Sequence, residues 1–271
     1  MEYTKVYLNL SEFFYLILSP LDATIQIYSY IYIQHFLFNF ILQEIKQNLQ
    51  KLNNPEKAKK LSRFFKTGKG QYGEGDLFLG ITVPQQRKIA KKYKNTSFNE
   101  IRALLHSPIH EYRLTALLIL REQYKKKNEK LKKEIIDFYL QNTSKINNWD
   151  LVDLSADHLL GDYLHDKEKI ILFSLAQSPH LWERRIAIVA TFAFIKKNQF
   201  EEALEISRIL LHDKHDLIHK AVGWMLREIG KRNFVLEEAF LQQYHKEMPR
   251  TMLRYAIERF EAEKKAFYMK K

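Results

Sequence analysis

With 271 residues, 46% of them hydrophobic and 28% charged, the chain has the balance of a globular protein with a sizeable core, in one large domain or two small ones. Its 8 glycines and 6 prolines are too few for an all-β fold, and the absence of cysteine excludes disulfides, thiolate metal sites and cysteine nucleophiles while fitting a reducing, cytoplasmic setting. A net charge of +12 makes nucleic acid or another polyanion the leading partner class.

The charge is unevenly placed. Residues 1–45 hold one lysine against Glu2, Glu12, Asp22 and Glu44, so the basic excess lies entirely downstream. Residues 23–43 carry no charge and many large apolar side chains, over a length that matches a membrane span. Thr24, Gln26, Ser29, Gln34, His35, Asn39 and Gln43 interrupt this run, and polar groups are costly in lipid. Residues 1–43 therefore read as a hydrophobic N-terminal extension. It is an extra helix packed on the domain or on a second copy, a segment outside the functional fold, or, least favoured, a membrane anchor. A membrane partner is not expected.

The domain proper, residues 44–271, begins with a glycine cluster. Gly68, Gly70, Gly73 and Gly75 are half of all the glycines and mark a loop between helices. The spacing Gly68-Lys-Gly70-Gln-Tyr-Gly73 fits a dinucleotide loop, but no strand precedes it, so the match carries little. A plain connector is favoured over a phosphate clasp built from Lys66, Lys69 and backbone N–H groups. Farther on, the lysine run at 125–133 reads as a solvated helix end and linker.

A repeat follows. Ser107-Pro108 stands ahead of Arg113 and Ala116 as Ser178-Pro179 stands ahead of Arg184 and Ala187, and Pro249 precedes Arg254 by the same step. Arg113, Trp149, Arg184, Lys220 and Arg254 fall at intervals of 36, 35, 36 and 34 residues. A sustained period of that size predicts stacked helical pairs, none able to bury its apolar face alone. Leu114, Leu117 and Leu118, like Ile186, Val189 and Ala190, follow helical spacing. Serine and proline are expected at the N-cap and first turn of each unit. The fold class is all-α, an α-α superhelix of HEAT-like repeats over about residues 44–262.

Side-chain direction sharpens this. Asp153 stands four residues after Trp149, and Trp224 four after Lys220, so each pair shares a helix face. Equivalent positions in stacked repeats share one face of the array. Trp149, Asp153, Arg184 or Arg185, Lys220, Trp224 and Arg254 are thus expected on one mostly basic surface. Trp182 reads as a packing residue. His212, His215 and His219 with Asp213 and Asp216 have spacing that suits zinc, but caps and solvated side chains are favoured there, and no metal is expected.

Five blocks in order then resemble the DNA alkylation repair family, the AlkD-like DNA glycosylases. They are Phe78-Leu-Gly-Ile-Thr-Val-Pro-Gln-Gln-Arg87, Trp149-Asp-Leu-Val-Asp153, Leu160-Gly-Asp162, Trp182-Glu-Arg-Arg185 and Lys220-Ala-Val-Gly-Trp224-Met-Leu-Arg-Glu228. The resemblance implies a HEAT-like α-solenoid that holds duplex DNA bearing alkylated purines in a basic cleft. It also implies hydrolysis of the N-glycosidic bond of N3- or N7-alkylated purines, such as 3-methyladenine and 7-methylguanine, by a monomer without metal or other cofactor. The family's catalytic acid matches Asp153, its cleft tryptophans Trp149 and Trp224, and its DNA-holding arginine Arg185. Arg227 is a second candidate for a phosphate contact. Arg184, Lys220, Arg87, Lys69 and Arg254 complete the expected DNA-binding set. The extension and the longer glycine loop depart from the family's better-known pattern.

That chemistry is physically coherent. Alkylation at N3 or N7 makes the purine cationic and so a good leaving group. Positive charge then develops on the deoxyribose, where a fixed carboxylate stabilises it and orients the attacking water. Tryptophan faces favour cationic character beside them. The alternative is a non-catalytic HEAT-like scaffold that binds nucleic acid or an acidic protein.

Overall fold

The computed structural model describes residues 40–125 and 128–270; the expectation for the N-terminal extension falls largely outside them. The chain is all-α, 69% helical, with no strand among the described residues. An isolated bridge joins Leu77 and Ile109. No described helix is long and apolar enough to cross a membrane. The helices form two compact units: one ends at Phe64 and resumes over Gly75–Gln123, and the other takes Phe65–Glu74 and the chain from Tyr124 onward.

The first unit holds α1 over residues 40–50, α2 (Pro55–Phe64), α3 (Val83–Lys92), α4 (Phe98–Leu105) and most of α5 (His110–Tyr124). Ile45, Leu49, Ile101, Leu104, Leu105 and Leu117 are fully buried and form its core. The block from Phe78 to Arg87 turns out to be a scaffold for the start of α3. The backbone N–H groups of Leu79 and Gly80 donate to the buried Glu111 carboxylate at 2.9 and 2.8 Å. One step on, Thr82 and Gln85 form a reciprocal capping box, with Pro84 in the first turn where its missing N–H is not needed. Arg87 is exposed on α3.

The second unit contains α6 (Glu129–Gln141), α7 (Trp149–Asp153), a π-type turn over Asp157–Gly161 that runs into α8 (Asp162–Leu164), and α9 (Ile170–Ala176). It continues with α10 (Leu181–Ala190), α11 (Phe192–Ile195), α12 (Glu201–Ile209), α13 (Asp216–Gly230), α14 (Phe234–Tyr244), α15 (Arg250–Ala256) and α16 (Ala262–Met269). Helix α10 packs on α9 and on α13, which in turn packs on α14 and α15. The apolar face of each helix is therefore covered by its neighbours in the stack, as the period predicts. Gly223 marks one close approach. A Cβ there would stand 2.3 Å from the Met252 carbonyl oxygen and 2.5 Å from the Tyr255 Cβ, so α15 lies directly against the α13 backbone.

The Ser-Pro repeat has a structural meaning that differs from the expected cap. Helices α5 and α10 begin at His110 and Leu181, beyond the Ser-Pro pairs, and no side chain caps α10. Instead Ser107 and Ser178 each accept a hydrogen bond from the backbone two residues on, Ile109 N and His180 N, both at 3.1 Å. The arginine five residues after the proline then folds back. Arg113 Nη1 donates to the Ser107 carbonyl at 3.1 Å, and Arg184 Nη1 to the Ser178 carbonyl at 3.0 Å. Each guanidinium also meets a carboxylate, Asp76 at 2.7 Å or Asp213 at 2.6 Å. The pattern is thus a turn lock in which a distant arginine, not the serine, ties down the entry to the helix. Arg254, whose unit lacks the serine, is exposed and reaches Thr251 at 3.4 Å.

Candidate functional site

Helix α7 is a single short piece, and its start is specified locally. The Asn148 side chain accepts from Trp149 N at 2.8 Å, while Leu151 and Val152 turn into the core. Trp149 and Asp153 are left on the opposite side, both partly accessible. Arg185 arrives from α10 and meets Asp153 as a fork, Nε to Oδ1 at 2.9 Å and Nη2 to Oδ2 at 2.8 Å. Its Nη1 donates to the Leu217 carbonyl in α13. One guanidinium, 5% exposed, therefore joins three helices and fixes the carboxylate in a single orientation.

The electrostatics of Asp153 are a balance. Burial pushes its carboxyl above the ordinary aspartate value, and Asp150 and Asp157 push the same way; Arg185 opposes them by charge and hydrogen bond. The net direction is upward. A carboxylate held this way is poorly solvated, so its field at a neighbouring atom is stronger than in water.

Aromatic rings gather beside it, some from an unexpected source. Phe65 stacks on Trp149 with centroids 5.0 Å apart and planes at 21°. Tyr72 meets Trp182 edge-on, with ring centroids 6.1 Å apart. Lys220, Asp150 and Arg185 all lie within electrostatic reach of the Tyr72 hydroxyl, whose pKa burial raises. Both Phe65 and Tyr72 belong to the glycine-rich segment. Sequence reasoning treated that segment as a connector; its flanking aromatics were the available signal. Trp182, expected to be packing, is half-buried and in contact with Tyr72.

Trp224 stands in a separate ring pair, with Phe192 at 5.6 Å and 50°. Lys196 lies 4.8 Å over the Phe192 ring and 2.9 Å from Asp157, one turn beyond Asp153. Lys220 is half-buried and bonded to Asp216 at 2.7 Å, which raises the pKa of its ammonium. Arg227 on α13 is paired with Glu258 in the turn that follows α15. Lys69 is exposed on the glycine-rich segment. Arg87 is exposed in the other unit.

The histidine cluster organises the start of α13. His215 Nδ1 accepts from Leu217 N at 3.1 Å, and Asp213, gripped by Arg184, accepts from His215 N at 2.8 Å. His219 bonds the Asp213 carbonyl. Among the described residues, no three acidic or histidine side chains converge as metal ligands would.

A family model described as DNA alkylation repair enzyme matches residues 45–260. No curated protein matches the sequence. Among solved structures, a predicted DNA alkylation repair enzyme from Enterococcus faecalis superposes with a TM-score of 0.63 at 20% identity, over 78% of this chain and 97% of its own. AlkD2 from Streptococcus mutans superposes at 0.52 and 19% identity, over 76% of this chain and 100% of its own. At such identities these two likenesses speak for the fold, an all-α repeat architecture. The family match covers most of the chain and all five sequence blocks, so the protein belongs to the DNA alkylation repair enzyme family and its role lies in the repair of alkylated DNA.

Proposed function

We propose that the protein is a monofunctional DNA glycosylase that hydrolyses the N-glycosidic bond of N3- or N7-alkylated purines in duplex DNA. The observation that carries this reading is the Asp153 carboxylate, partly accessible yet desolvated, and fixed by the two-pronged Arg185 contact. As the bond to a cationic purine lengthens, positive charge develops on the deoxyribose. A preoriented carboxylate in a poorly solvated setting stabilises that charge and orients the attacking water. Arg185 opposes the upward push of burial on the Asp153 carboxyl and holds its geometry. Trp149 and Trp224 supply apolar faces that accept cationic character. Lys69, Lys220, Arg227 and Arg254 in the second unit are proposed phosphate contacts, and Arg87 is one on the first. Arg184 and Arg185 act instead by holding helices and Asp153.

One observation favours a second reading, a non-catalytic scaffold for nucleic acid. Both Asp153 oxygens are already bonded to Arg185, as in a purely structural ion pair. The two readings part on one experiment: incubation of methylated duplex DNA with the protein and chromatography of the released bases. The glycosylase reading expects free 7-methylguanine or 3-methyladenine. Tight binding of the duplex with no base released would support the scaffold and sink the glycosylase.

A further inference from the structure

A second ion pair stands one helical turn beyond Asp153. Asp157 follows it by four residues and is buried at the start of the π-type turn. The backbone widens there, because Gly161 N bonds the Ala156 carbonyl at 2.9 Å, five residues back. Gly161 faces the junction of α10 and α11, where a Cβ would stand 2.2 Å from the Ala190 carbonyl oxygen and 2.8 Å from the Ala193 Cβ. That close approach seats α11 against the turn, and the residue just past α11 reaches back across it. Lys196 Nζ donates to Asp157 Oδ2 at 2.9 Å and lies 4.8 Å over the Phe192 ring, whose centroid is 5.6 Å from that of Trp224. The two pairs differ in access. The Arg185 side chain is 6% exposed and that of Lys196 38%.

An ammonium has three N–H donors, so Lys196 can bind a second anion while it keeps Asp157. Its carboxylate partner and the ring beneath it restrict a long side chain, so little rotamer freedom is lost when that anion arrives. Arg185, in contrast, commits its guanidinium to Asp153 and the Leu217 carbonyl. We propose that Lys196 is a DNA-binding residue that grips a backbone phosphate next to the damaged nucleotide, with Asp157 and Phe192 as the brace that aims it. This rests on the glycosylase reading for the place of that nucleotide, beside Asp153 and Trp224. Asp157 alone would repel a phosphate; bonded to Lys196, it fixes the cation that attracts one. A phosphate held there sets the position of the sugar attached to it, and so of the bond to be cleaved.

The test is binding of the full chain to a duplex carrying one 7-methylguanine, its sugar 2′-fluorinated to resist cleavage. Each linkage flanking the lesion is replaced in turn by an uncharged methylphosphonate. At one linkage the wild type is expected to lose about fivefold in affinity. Lys196→Gln should already be weaker by that factor, with a log–log salt slope lower by about one, and should lose nothing more at that linkage. Because this variant removes the cation from Asp157, its companion is the double variant Lys196→Gln, Asp157→Asn, which keeps the wild-type net charge. The double variant should show the same lower slope and the same indifference to the linkage, whereas Lys196→Arg should keep both wild-type responses. A double variant with the wild-type salt slope, or with wild-type sensitivity at every linkage, would overturn the proposal. These readouts concern binding and stand whether or not base is released. Failure of the wild type to release base from methylated duplex DNA would sink the glycosylase reading alone.

Discussion

Arg185 and Asp153 stand 32 residues apart in sequence and meet through two parallel hydrogen bonds of 2.9 and 2.8 Å. The pair sets the orientation of the proposed catalytic acid and opposes the upward push of burial on its pKa. Removing the carboxylate is the direct test: Asp153→Asn should reduce excision by about 100-fold or more while leaving duplex affinity within severalfold. Single-turnover rates and a binding isotherm on the same methylated duplex measure the two effects separately.

The same pair predicts a pH dependence. Burial and the two neighbouring aspartates raise Asp153 above its ordinary value of 3.8, and activity needs the ionised form. Activity is therefore present above that raised pKa and falls as pH drops through it. Arg185→Lys replaces a fork with one point charge, weakening the stabilisation of the anion. The acid limb of the excision profile should move to higher pH in this variant, and an unmoved limb would remove Asp153 as its origin.

Arg184 and its neighbour in the chain should behave differently from the surface cations. Its guanidinium serves the Ser178 and Pro179 carbonyls and Asp213. Arg184→Ala should cost about 2–3 kcal/mol of stability, since it strips partners from a part-buried carboxylate and two carbonyls. Its log–log salt dependence of duplex binding should match wild type. Lys69→Ala or Arg254→Ala should each lower that slope by about one while leaving the melting temperature nearly unchanged.

Gly223 tests the packing that places Trp224. Gly223→Ala forces α13 and α15 apart, because the added methyl meets the Met252 carbonyl and the Tyr255 side chain. A loss of about 2 kcal/mol or more is expected by chemical denaturation. The shift also disturbs Lys220 and Trp224, on the same helix, so excision should fall in the fraction that remains folded.

Glu237 predicts a second, purely structural pH effect. It is 2% exposed, and burial pushes its carboxyl up to about 8, with Glu238 adding and Arg227 opposing. For an acid whose folded pKa lies above its unfolded value, stability is highest below the unfolded value and declines as pH rises towards about 8. Glu237→Gln removes the ionisation. The variant should gain about 5 kcal/mol at most over wild type at alkaline pH and little near pH 5, read from denaturation midpoints.

Much of this was legible in the chain itself because it is local. A period near 35 residues, helical spacing of leucines and isoleucines, and scarce glycine and proline determine an all-α repeat fold whatever the fine packing. The four-residue step from Trp149 to Asp153 likewise puts both on one side of a single turn. Five ordered blocks were enough to indicate the family. What the chain alone left open concerns contacts between distant segments. The repeat register favoured Arg184 at the acid and the family match favoured Arg185; the packing of α10 between α7 and α13 brings Arg185 to Asp153 and turns Arg184 back on its own Ser-Pro turn. Adjacent residues on a helix point about a quarter-turn apart, so only the helix's rotation against its neighbours decides between them. The glycine-rich segment shows the same limit. Glycine spacing says that a chain can turn tightly, but the tertiary structure alone shows that this turn carries Phe65 to Trp149 and Tyr72 to Trp182.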